Sequence, residues 1–152
     1  MQNDIFTEYV RKYSDMVYRI AYSYTRSHPD SEDIMQDTLL KLYQCDKRFR
    51  DDEHIKAWLI RVAINKAKDM LRSVRSKTAE ALDESISAPA ADHELDRAMA
   101  SLSEDYRAVV YLHYYEGYDV KEIAKLMRIT ESNVKIRLKR ARDKLRDFMT
   151  NA

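Results

Sequence analysis

The chain has 152 residues, with 27 Lys+Arg against 26 Asp+Glu, one Gly, two Pro and one Cys. That length fits one ordinary domain or two small ones, and so few turn formers among continuous 3.6-residue apolar patterns predict an all-α fold. Cys45 alone can form neither an internal disulfide nor a multi-cysteine metal site. The polar, acidic start is unlike a signal peptide, and no apolar run nears the ~18 residues of a membrane span. A soluble, cytoplasmic protein without membrane insertion is expected.

Phe6, Val10, Tyr13, Val17, Ile20, Ala21 and Tyr24 recur at helical spacing and predict a long first helix with an aromatic face. Ser27 to Pro29 break it, and Asp30 is expected to cap a second helix whose apolar positions include Ile34, Leu39, Leu42 and Tyr43. Residues 46–54, DKRFRDDEH, read as a charged connector. A third helix is expected from about Ile55 to Arg72. Trp58, Leu59, Val62, Ala63 and Leu71 should face inward, with Arg61, Asn65, Lys66, Lys68 and Arg72 off or beside that stripe. Residues 73–94 lose periodicity and gain Ser, Ala and acids, the composition of a flexible linker. Beyond them, Leu95, Met99 and Leu102 predict a short helix. Ser103 is expected to cap the next one, which carries Val109, Val110 and Leu112 and ends near Gly117.

The stretch 119–142, DVKEIAKLMRITESNVKIRLKRAR, has the pattern of a helix-turn-helix. Asp119 and Glu122 match a capping box, and Thr130 is a cap for the following helix. Val120, Ile123, Ala124 and Met127 form one apolar face, with Ala124 small where a second helix must cross. Val134, Leu138, Ala141 and Leu145 form the buried stripe of the second helix. Ser132, Asn133, Lys135, Ile136, Arg137, Lys139 and Arg140 lie off or beside that stripe, so most are free to meet a groove.

The near-neutral total conceals segregated charge: residues 30–44 carry a net −3, 54–75 a net +5, 76–105 a net −6 and 121–146 a net +7. Two basic surfaces between acidic ones suggest two contacts with a polyanion and a separate protein partner. The four histidines make no HExxH pair and sit at no ligand spacing, and one glycine cannot build a phosphate loop. No catalytic constellation is assembled, so no enzymatic role, cofactor or metal is expected.

Three stretches, in order, resemble bacterial RNA polymerase sigma factors of the extracytoplasmic-function class. SEDIMQDTLLKLYQ (31–44) resembles their core-polymerase-binding helix, AWLIRVAINKAKDMLR (57–72) the helix that melts and reads the −10 element, and LSEDYRAVVYLHYYEGYDVKEIAKLMRITESNVKIRLKRAR (102–142) the domain that reads the −35 element. The short linker leaves no room for the third domain of larger sigma factors. The resemblance implies two small helical domains, 1–75 and 95–152, joined by a flexible acidic linker, 76–94, with the helix-turn-helix in the second.

The resemblance also implies residue roles. Asp33, Gln36, Asp37, Leu40 and Tyr43 would contact core polymerase. The family's WL-x-R-x-A-x-N pattern falls on Trp58, Leu59, Arg61, Ala63 and Asn65. It places Trp58 in the core and Asn65 against an exposed −10 base, with Arg61, Lys66, Lys68 and Arg72 on phosphates. The connector 46–54 could enclose that flipped base. Arg128, Ser132, Asn133, Lys135, Arg137, Lys139 and Arg140 would meet the −35 duplex. The chain departs from the family at Arg128, where the turn often has Gly; a left-handed backbone is strained there. The implied partners are bacterial core RNA polymerase, promoter DNA and an anti-sigma factor. The rival function is a stand-alone helix-turn-helix regulator, which leaves 31–44 and 57–72 without a role; a protein–protein adaptor is a third.

Overall fold

A computed structural model of the chain describes residues 1–77 and 94–150. The chain divides into two compact units, Met1–Asp83 and Glu84–Ala152. The described residues are overwhelmingly helical, and none lies in a strand.

The first unit packs α1 (Asn3–Thr25), α2 (His28–Gln44) and α3 (Asp52–Lys77) against one another. Its core takes Val17, Ile20, Ala21 and Tyr24 from α1, Ile34 and Leu42 from α2, and Ile55, Leu59, Ile60, Ala63 and Ala67 from α3. Each large apolar side chain so buried contributes roughly 1.5–3 kcal/mol.

Arg26 ends α1 in the left-handed conformation, φ 52°, ψ 29°, its N–H donating to the Tyr22 carbonyl. Ser27, not the expected Asp30, caps α2: its Oγ accepts the Asp30 N–H at 3.2 Å. Pro29 then falls in the first helical turn, where a missing N–H costs nothing. Pro29 therefore opens α2 rather than breaking α1.

Helix α3 starts earlier than expected. Asp51 Oδ1 accepts the His54 N–H at 2.9 Å, and Asp52 accepts from Lys12 Nζ and the Tyr13 hydroxyl, both at 3.0 Å. The Asp51 bond caps the start of α3, and the two Asp52 bonds tie it to α1. The helix also runs on to Lys77, through residues assigned from sequence to the linker, because no Gly or Pro interrupts it. Residues 78–93 of that expected linker lie outside the described residues.

Several core expectations shift. Phe6, Val10, Leu39 and Leu71 are half-buried, and Tyr43 is exposed. Trp58 is half-buried against the connector, whereas Ile55, Ile60, Ile64 and Ala67 fill the core. Both α1 and α2 pack on α3, so its buried arc is wider than a single stripe.

The second unit contains α4 (Glu94–Ala100), α5 (Glu104–Val110), a π-turn at Tyr111–Tyr115, α6 (Val120–Met127) and α7 (Glu131–Thr150). Helix α7 receives α4, α5 and α6 on its buried side. Ala98, Leu102, Ala108, Val109, Leu112, Ile123, Val134, Leu138 and Ala141 form the core. Leu95, expected inward, is 56% exposed; Ala98, about one turn further along the helix, takes the core position. Ser103 occupies the N-cap of α5 in extended conformation, but its side chain makes no capping bond.

After the π-turn, Gly117 adopts φ +81° and reverses the chain. His113 Nδ1 lies 2.8 Å from the Tyr118 carbonyl, which can only accept, so this nitrogen carries the proton. That bond closes the loop leading into α6.

Candidate nucleic-acid interface

The helix-turn-helix is built by local bonds that the sequence places within three residues of one another. Asp119 Oδ1 accepts the Glu122 N–H at 2.8 Å, and Glu122 Oε1 accepts the Asp119 N–H at 2.9 Å. The complete capping box satisfies two donors that the start of a helix leaves open. Thr130 Oγ1 accepts the Asn133 N–H at 3.0 Å and caps α7. Between the helices, Arg128 takes the left-handed conformation at φ 59°, ψ 46° and donates its N–H to the Ala124 carbonyl. The departure noted in the sequence is therefore a real backbone feature.

Val134, Leu138 and Ala141 hold α7 to the unit. At ~100° per residue the opposite face carries Ser132, Ile136, Lys139 and Arg140, flanked by Lys135 and Asn133. Ser132, Lys135, Lys139 and Arg140 are exposed, as is Arg128 in the turn, while Asn133 is half-buried. Arg137 stands apart: its side chain is only 18% exposed and points to Asp105, with an N–O separation of 3.9 Å. It turns toward α5 rather than toward the free face. Lys139 pairs with Asp143 at 3.0 Å and holds that carboxyl below its ordinary range. Such an exposed pair is weak, so the ammonium can be exchanged onto a phosphate at little cost. Ile136 is exposed on this face too; the sequence puts it off or beside the buried stripe, but the resemblance gives it no part in the −35 contact.

In the first unit, Arg61, Asn65, Lys68 and Arg72 recur at helical spacing within about 60° of α3. Leu59, Ala63 and Ala67 occupy the buried side of that helix. Lys66 lies about 100° around the helix from Asn65 and does not join this stripe. Asn65 and Arg72 are exposed, while Arg61 and Lys68 are half-buried. The Nε of Arg61 is buried with no hydrogen-bond partner. Arg72 pairs with Asp69 at 2.9 Å, again between exposed groups.

The connector beside this stripe is anchored by one ring that sequence reading passed over. Phe49 meets Trp58 edge-on at 5.7 Å between centroids, His54 at 5.1 Å and Tyr9 at 6.3 Å. His54 Nδ1 accepts the Arg50 N–H at 3.0 Å. A lone aromatic inside DKRFRDDEH was the available signal.

On α2, Asp33, Gln36, Asp37, Leu40 and Tyr43 are all exposed and share one side. The buried side holds Ser31, Ile34, Thr38 and Leu42. Leu40 is 54% exposed between two carboxylates and a tyrosine. Tyr43 is steadied by an edge contact to Phe6 at 4.9 Å and a 3.0 Å bond to Asn3 Oδ1. Among the described residues, no group of three or more His, Cys, Asp and Glu side chains could hold a metal ion.

Residues 9–77 match the family described as Sigma-70 region 2, and residues 92–145 match Sigma-70, region 4. The ECF RNA polymerase sigma factor SigL of Mycobacterium tuberculosis is 31% identical, over 84% of this chain and 78% of its own length. The chain belongs to the ECF sigma factors. SigE of Mycolicibacterium smegmatis is 30% identical over 93% of this chain, which spans 60% of that relative. Among solved structures, the sigma factor RpoE of Bartonella quintana, in complex with the anti-sigma factor NepR, has the same fold. Its TM-score is 0.80 at 23% identity, covering 95% of this chain and 96% of that one. The region 2 match contains the α2 face and the α3 stripe; the region 4 match contains the helix-turn-helix. This sigma-factor family consists of transcription initiation factors, not catalysts. Among the described residues, no helix is long and apolar enough to cross a membrane.

Proposed function

We propose that this sigma factor binds bacterial core RNA polymerase and directs it to promoters through −10 and −35 elements together, working in the cytoplasm. The acidic and apolar face of α2 suits a basic protein surface: Asp33 and Asp37 supply charge, and Leu40 and Tyr43 supply burial. Asn65 offers both a donor and an acceptor to the edge of an unpaired −10 base, while Arg61, Lys68 and Arg72 hold the strand's phosphates. Lys66, off that stripe, would meet a phosphate on its flank. Ser132, Asn133 and Lys135, early in α7, would reach −35 base edges, and Arg128, Lys139 and Arg140 the flanking phosphates. Arg137 would act by holding α7 on α5 through Asp105.

The observation that carries this reading is a cationic stripe opposite the buried side of one helix in each of two units, with an exposed acidic face on α2 of the first. Two modest DNA contacts joined through one polymerase raise each other's effective concentration and make selection depend on spacing. A stand-alone regulator has no use for the α2 face or the α3 stripe. The RpoE complex with NepR supports an anti-sigma partner for this chain as well. Such a partner would cover one of these faces.

The test mixes the purified chain with bacterial core polymerase and a fragmented genomic library and maps transcript 5′ ends. The expected result is a set of starts that require the chain and share two upstream motifs at fixed spacing. Core binding without new starts would favour an adaptor. No core binding, with specific duplex binding alone, would favour the stand-alone regulator.

A further inference from the structure

Ile136 stands in the middle of the free face of α7, 46% exposed, with Val134, Leu138 and Ala141 buried on the other side. Helical spacing surrounds it with Ser132 and Asn133 one turn before and Lys139 and Arg140 one turn after. Single exposed apolar residues are ordinary on protein surfaces. This one differs in its surroundings. It lies in the second turn of a capped helix, and the cations beside it would press that face against phosphates. Residues in the opening turns of such helices are the ones that meet base edges.

Polar and charged side chains distinguish bases by their donors and acceptors. The apolar feature of the major groove is the C5-methyl of thymine, and only an apolar contact reads it. Isoleucine suits that contact because its branched side chain has few rotamers to lose. A protein partner fits less well. All four helical neighbours of Ile136 are polar, so the residue has no apolar patch of its own on α7 to extend it into an anchor for another protein.

We infer that Ile136 reads a thymine methyl group in the −35 element. The inference rests on the sigma-factor reading above and adds a specificity contact that no polar residue of α7 can supply.

The test uses the full chain with core polymerase on a promoter found by the transcript mapping. Each thymine of the −35 region, on either strand, is replaced in turn by deoxyuridine, which removes the methyl group alone. At one position the wild-type chain should lose about fourfold in affinity, the effect expected for one buried methyl group. There I136A should bind the thymine probe about as weakly as the wild type binds deoxyuridine, and should not distinguish the two. I136V, still branched, should restore the distinction. A wild type indifferent at every position, or an I136A that keeps full sensitivity, overturns the inference and leaves sigma activity standing. An I136A that binds promoter normally but escapes an inhibitory protein also overturns it. No chain-dependent start at all overturns both the inference and the reading beneath it.

Discussion

Replacing Arg128 with glycine should stabilise the C-terminal unit while weakening its hold on DNA. At φ 59°, ψ 46° the Arg128 Cβ crowds its own backbone carbonyl, which costs an L-residue roughly 1–2 kcal/mol. Glycine removes that cost but frees the unfolded chain, which returns about 0.4–1 kcal/mol. The net gain is ~0.5–1 kcal/mol. For a domain of this size that corresponds to roughly 2–8 °C in the unfolding midpoint, followed by calorimetry. R128A keeps the Cβ and should leave the midpoint near the wild-type value. Gly117 supplies the opposite control: at φ +81° it has nothing within 4 Å of an added Cβ, so G117A meets only backbone crowding. G117A should lose about as much as R128G gains, ~0.5–1 kcal/mol. An R128G midpoint at or below that of R128A would refute the strain argument. In gel shifts with core polymerase, both Arg128 variants should bind −35 DNA more weakly and with a shallower salt dependence, since each removes one cation from the interface.

Other expectations test different parts of the molecule. D37R should weaken core-polymerase binding by at least a hundredfold, ~2.7 kcal/mol, in pull-down titrations, with helicity by circular dichroism unchanged; full affinity would move the interface off α2. D119A removes half of the capping box and should destabilise the second unit by ~0.5–2 kcal/mol in urea denaturation. Asp52 is held below its ordinary carboxylate range, chiefly by the hydrogen bond from Lys12 and then by that from Tyr13. Its stabilising contribution is therefore complete above the ordinary carboxylate pKa and fades as pH falls through the lowered folded value. D52N should flatten the acid limb of a stability–pH profile; an unchanged limb would remove Asp52 from the account.

What could be read from sequence was local. The Asp119–Glu122 box and the Thr130 cap join residues three apart, so their pattern carries their geometry. The left-handed turn at Arg128 was legible as a position where glycine is the easier residue. The cap of α2 was misread although Ser27 followed by Pro29 is itself an N-terminal signature, with proline free to sit in the first turn. Long-range partners were not legible. Nothing in the periodicity of α7 reveals that Arg137 faces Asp105 on α5. Nothing in α3 alone shows that Phe49 would meet Trp58, or that two neighbouring helices would widen its buried arc. Lys66, by contrast, was separable from Lys68 in the sequence itself, since one residue beyond Asn65 lies about 100° around a helix and three residues beyond about 60°.

The Phe49 anchor has a consequence for how such a protein can change over generations. A loop fastened near its middle behaves as two short arcs, each with little freedom to lose on ordering. The fastening ring touches Tyr9, His54 and Trp58, whereas Asp46, Lys47, Arg48, Arg50 and Asp51 around it remain exposed. Apart from Asp51, whose carboxylate caps the start of α3, those exposed residues can be exchanged without moving the ends of the loop or disturbing the three-helix core. Heritable variation in the side chains that this edge of the molecule presents is thereby separated from variation in whether the molecule folds.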